Sequence, residues 1–96
     1  MNKEAKEFII DTLKQKGKLN IDEIANNADV STRSVYRYLK SENQGIAHRI
    51  EDAMIIQFIL NSTEEEDDKF IDLMKKCSII IIQLHYKLVE LYKKRR

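Results

Sequence analysis

Ninety-six residues, 43% of them apolar and 34% charged, describe one globular domain with a modest core and exclude a disordered chain. A net charge of +1 singles out no class of partner. The longest apolar run, residues 79–82, is far shorter than the roughly 20 residues that cross a bilayer. Residues 1–7 are charged and carry no signal-peptide pattern. Cys77 is the single cysteine, so no disulfide forms within the chain, which suits a reducing compartment. A cytoplasmic protein with no membrane partner is expected.

Proline is absent and only Gly17 and Gly45 interrupt a chain rich in Lys, Glu, Ile and Leu, so an all-α fold is expected. The first helix is predicted over residues 3–16, where Ala5, Phe8, Ile9, Thr12 and Leu13 share one face and Lys and Glu fill the opposite one. Gly17 suits the left-handed residue that ends such a helix, and Leu19 tucks inward from the connector. The second helix is predicted over 21–28, capped by Asn20, with Asp22 and Glu23 at the positive end of its dipole and Ile21, Ile24, Ala25 and Ala28 inside.

Asp29-Val30-Ser31 reads as a tight turn, with Ser31 capping a third helix over 32–42. Val35, Tyr38 and Leu39 face inward there, and Thr32, Arg33, Tyr36, Arg37 and Lys40 face outward. Asn43-Gln44-Gly45 closes it. A fourth helix over 46–60 is apolar on more than one side and is expected to be covered on both. After a break at Asn61-Ser62-Thr63, acid at 64–68 and base at 93–96 match the two ends of one long fifth helix, predicted over 64–94.

Residues 21–40, IDEIANNADVSTRSVYRYLK, resemble the helix-turn-helix of prokaryotic DNA-binding regulators and recombinases. Ala25 fills the place of that family's small residue on the first helix. Asp29-Val30-Ser31 stands where the family commonly has Gly-Val-Ser, and Val35 matches its β-branched core residue. Asp29 departs from the usual glycine, a position that tends to need positive φ, but Asp tolerates that conformation better than most residues. The resemblance covers about 20 residues of the 96 and assigns a module rather than a particular family.

What it implies is insertion of residues 32–40 into the major groove of double-stranded DNA. Arg33 and Arg37, four apart on one face, suit paired contact with guanine. Thr32 and Ser34 can contact phosphate or bases, Tyr36 can pack on a thymine methyl or reach a phosphate, and Lys40 can meet the backbone. Asn20 and the start of the second helix are expected to add phosphate contacts through backbone N–H groups. Residues 30–50 hold Arg33, Arg37, Lys40 and Arg49 against Glu42, a local balance of +3. The competing explanation is an ordinary solvated basic face.

Phe70, Met74, Cys77, Ile81, Leu84, Leu88 and Leu91 are spaced alternately by four and three, a heptad pattern over about three repeats. Ile79, Ile80, Ile82, Tyr86 and Val89 form a second apolar face. One face is expected to pack on the chain's own helices and the other on a second copy, which gives a homodimer that reads two half-sites. A broad core stripe in a monomer is the alternative.

His48 and His85 lie far apart and Cys77 has no partner at metal spacing, so no metal or cofactor is expected. No phosphate loop or nucleophile arrangement is visible, and neither enzymatic activity nor a small-molecule ligand is expected. The whole reads as a single domain: a helix-turn-helix three-helix core over 1–45, then a helical dimerisation region over 46–96 made of a fourth helix and a long C-terminal one. The function expected is that of a small homodimeric transcriptional regulator associated with the nucleoid. A plasmid-partition or recombination accessory protein is the rival within that class. A protein-interaction module docking through the C-terminal helix is the rival outside it.

Overall fold

The computed structural model describes residues 1–40, 48–75, 87–92 and 94. Its regular elements are all helical among the described residues: α1 (Lys3–Gln15), α2 (Ile21–Ala28), α3 (Thr32–Lys40), α4 (His48–Asn61) and α5 (Glu64–Met74), with residues 87–92 helical as well. None of these helices is long and apolar enough to cross a membrane. The turn expected at Asn43-Gln44-Gly45 lies outside the described residues, as do Cys77, Ile81 and Leu84 of the heptad pattern.

Local chemistry accounts for the helix ends. The Asn2 side chain accepts from the Ala5 N–H at 2.8 Å and caps α1. Gly17, at φ 66°, ends α1 in a paired C-terminal motif: its N–H donates to the Lys14 carbonyl at 3.0 Å and the Lys18 N–H to the Leu13 carbonyl at 2.9 Å. Thr63 and Glu66 form a reciprocal capping box at the start of α5. The Glu64–Asp67 carboxylates in that first turn complement the dipole.

The hub is α4, which packs on both α1 and α2. Ile50, Ala53, Met54, Ile55, Phe58 and Ile59 are all buried, so both sides are covered, as its apolar breadth requires. Phe58 meets Phe8 of α1 edge-on at 5.8 Å between ring centres and Phe70 of α5 at 5.3 Å, contacts that tie three helices together.

The single long helix expected over residues 64–94 is not what forms. α5 ends at Met74 with Lys75 as its C-terminal cap. A straight helix over 64–94 would be about 46 Å long, whereas the longest dimension of the fold is 30 Å. The physical reason is burial. Val89 shares one core with Phe70 and Met74, and a helix running straight out of so small a domain would carry Val89 into solvent.

Charge also enters the core. Lys6, which periodicity places on the polar face of α1, is 3% exposed, and Glu51 of α4 is 2% exposed. Glu51 Oε1 accepts from the Met1 ammonium at 2.9 Å and from the Tyr38 hydroxyl at 3.0 Å. Such groups enter an interior when their polar atoms are paired there.

Candidate nucleic-acid interface

The segment from Asn20 to Lys40 is built by three local devices. The Asn20 side chain accepts from the Glu23 N–H at 3.0 Å and starts α2. Asp29, at φ 55° and ψ 49°, ends it in the left-handed conformation. The Asp29 N–H donates to the Asn26 carbonyl at 3.3 Å and the Val30 N–H to the Ala25 carbonyl at 3.0 Å. That is the same paired motif that Gly17 makes, with aspartate in the glycine's place. The Ser31 hydroxyl then accepts from the Ser34 N–H at 3.2 Å and starts α3. Two helices are thereby held across a three-residue turn and pack on each other.

On α3, Val35 and Tyr38 are buried and Leu39 is half-buried. Thr32, Arg33, Tyr36, Arg37 and Lys40 are exposed. Arg33, Tyr36, Arg37 and Lys40 recur at helical spacing, so they lie along one side of the helix. No carboxylate interrupts them, because α3 contains no Asp or Glu. Ser34 stands apart from the other expected contacts: it is half-buried, and its hydroxyl lies 3.0 Å from that of Ser31. It belongs to the helix cap before it belongs to any outer surface.

Three of the backbone donors at the start of α2 are already engaged within the fold. The Asn20 N–H is held by Gln57, the Glu23 N–H by the Asn20 side chain and the Ile24 N–H by the Asn20 carbonyl. Asp22 and Glu23 are exposed on the same turn, and their charge repels phosphate. An open cavity of about 600 Å³ separates this turn from α3, with Lys18, Asn20, Asp22, Glu23, Tyr36 and Asn61 among its lining residues. The basic edge of the surface therefore lies on α3, and an acidic edge adjoins it at Tyr36.

Behind α3, the Tyr38 ring lies under the Lys6 ammonium at 4.3 Å, and the Tyr38 carbonyl accepts from Lys6 Nζ. Burial, then the charge and hydrogen bond of Glu51, hold the Tyr38 phenol well above its usual range. Tyr38 is a neutral donor at every ordinary pH. Sequence reasoning placed Tyr38 inside but missed Lys6 and Glu51, since neither residue type signals burial. Only the Tyr hydroxyl's need for a buried partner hinted that something polar lay opposite.

The expected dimer residues separate into two groups. Phe70 and Met74 are 0% and 2% exposed and pack inside the chain's own core. They are not available to a second copy, because these two side chains are already taken up by the chain's own core, Phe70 against Phe58 of α4. Leu88 is half-buried, and Leu91 is 54% exposed. Among the described residues no group of three His, Cys, Asp or Glu side chains converges on a point where a metal ion would fit.

No protein-family model, curated protein or solved structure matches this chain.

Proposed function

We propose that this protein binds double-stranded DNA, with α2 and α3 acting as a helix-turn-helix and α3 entering the major groove. The observation that carries the reading is the outer side of α3. Arg33, Tyr36, Arg37 and Lys40 stand exposed on a nine-residue helix that has no acidic residue and is started by the Ser31 cap. A short helix with such a side fits the groove and presents guanidinium forks to guanine edges. Thr32, at the first turn, meets the phosphate backbone. Ser34 supports the turn and contributes to contact only through it.

The role that follows is that of a small regulator, or of an accessory protein that marks a site, and not of an enzyme. A homodimer is part of the proposal, since one short helix reads only a few base pairs and two related by a twofold axis read a half-site pair. Its surface is drawn around Leu88 and Leu91, with Phe70 and Met74 left to the core. A second reading draws on the acidic edge at Asp22 and Glu23 and on exposed Leu91: a protein-docking module in which DNA plays no part.

Fluorescence anisotropy of a labelled mixed-sequence duplex separates the two. Wild type is expected to bind at low salt, to weaken steeply as salt rises, and to lose most of its affinity in the Arg33→Ala/Arg37→Ala double variant. No binding at low salt sinks the DNA reading and favours the docking module.

A further inference from the structure

We propose that Lys6 and Glu51 are positioning residues which, acting through Tyr38, hold α3 in the register that lets its outer side chains discriminate DNA sequences. The inference rests on the DNA-binding reading above and names what makes that surface selective. Neither residue lies on the outer side of α3. Lys6 comes from α1 and Glu51 from α4, and each is almost wholly buried.

The geometry is that of a two-point clamp on one residue. Lys6 Nζ donates to the Tyr38 carbonyl and sits 4.3 Å above the Tyr38 ring. That carbonyl lies toward the C-terminal end of the described α3, the negative end of the helix dipole, which attracts a cation. At the other end of the side chain, the Tyr38 hydroxyl donates to Glu51 Oε1 at 3.0 Å. The Met1 ammonium holds the same oxygen at 2.9 Å. Main chain and side chain of a single α3 residue are thus each fixed by a charged group from a different helix.

Apolar contact alone would not give this. Val35 and the half-buried Leu39 are the other inward residues of α3, and apolar side chains tolerate a small slide or roll of a helix. Hydrogen bonds weaken steeply with misalignment, so two of them at opposite ends of Tyr38 oppose both motions. Burying the Met1 ammonium, Lys6 and Glu51 carries a desolvation cost that well-packed apolar residues would avoid. Defined placement of α3 is what the polar arrangement adds. Arg37 adjoins Tyr38 in the chain and Arg33 lies one turn before it, so a displacement at Tyr38 moves both guanidinium groups against the base edges. Backbone-phosphate attraction depends on charge and tolerates such a displacement.

The test uses the full chain and two duplexes: one enriched from a random-sequence pool by the wild type, and a scrambled duplex of the same composition. Wild type, Tyr38→Phe, Lys6→Met and Lys6→Arg are compared by anisotropy, after thermal melts followed by circular dichroism identify a temperature at which each is folded. Tyr38→Phe keeps the ring and removes one hydrogen bond, so it carries the test even where Lys6→Met fails to fold. Tyr38→Phe and Lys6→Met are expected to bind the scrambled duplex within about twofold of wild type, with the same salt slope, while the preference for the enriched duplex falls by about fivefold or more. Lys6→Arg restores most of that preference.

A preference unchanged in both variants overturns the proposal. Equal loss on the two duplexes also overturns it, because general destabilisation predicts that pattern. A wild type that binds duplex at low salt yet enriches no sequence overturns this proposal alone. A wild type that retains no duplex at all removes the DNA reading and this inference together.

Discussion

Gln57 lays its side-chain amide against the backbone of Asn20, accepting from the Asn20 N–H at 3.1 Å and donating to the Asn20 carbonyl at 3.1 Å. The amide thereby reproduces, from the middle of α4, the pairing that a neighbouring strand would offer an extended residue. Asn20 needs it because its own side chain is already committed to capping α2.

Replacing Gln57 by Leu keeps the bulk and removes both bonds; the Asn20 carbonyl retains the Ile24 N–H, and the Asn20 N–H loses its partner at a partly buried site. A loss of about 1–2 kcal/mol is expected, read as a lower urea midpoint. Asn20→Ala, which loses the cap alone, is expected to cost about 1 kcal/mol. A Gln57→Leu variant as stable as wild type would show that the amide pair contributes nothing net.

Gly17 and Asp29 occupy equivalent left-handed positions, at φ 66° and 55°, and opposite effects are expected of exchanging their side chains. Gly17→Ala meets open space, so its whole cost is conformational, about 1 kcal/mol. Asp29→Gly relieves a mild strain and is expected to stabilise by up to about 1 kcal/mol, whereas Asp29→Val destabilises by about 1–2 kcal/mol. Thermal melts resolve these, at about 4–8 °C per kcal/mol for a domain of this size.

Glu66 links two elements, since its carboxylate closes the capping box with Thr63 and pairs with Lys16 at the end of α1. Burial acts to raise its pKa, but the Lys16 hydrogen bond and charge and the bonds from Thr63 outweigh it and hold the carboxyl below the usual carboxylate range. A depressed folded pKa gives stability that is complete above the unfolded value and lost as pH falls through the folded one. The stability gap between wild type and Glu66→Gln is therefore expected to be complete above the ordinary glutamate range and to close as pH falls through the lowered folded value. A gap that persists at pH 2.5 would place the effect in the cap's neutral hydrogen bonds.

Phe70 and Leu91 belong to the same heptad pattern and are expected to respond in opposite ways. Phe70→Ala empties the centre of the contact with Phe58 and is expected to cost about 3–5 kcal/mol. Leu91→Glu changes an exposed position, is expected to alter stability by less than about 0.5 kcal/mol, and weakens self-association in sedimentation velocity. Unchanged association in that variant would move the proposed dimer surface elsewhere.

What the sequence by itself determined was local. Helical periodicity located α1 to α4 to within a residue or two at most of the described ends. The ends themselves followed from residues whose chemistry acts within a turn: Gly17 and Asp29 as left-handed caps, Asn20 as an N-cap, a break before Glu64. The outward set on α3 was legible for the same reason, because a 3.6-residue repeat assigns faces without reference to any other part of the chain. Two features required the tertiary structure. A heptad stripe looks alike whether it covers its own core or a second copy, so only the fold placed Phe70 and Met74 inside and ended α5 at Met74. Buried charge depends on partners distant in sequence: Glu51 on Met1, fifty residues away, and Lys6 on Tyr38, thirty-two away. A charged side chain in isolation is soluble by default, and it becomes an interior group only when folding brings its partner within hydrogen-bond reach.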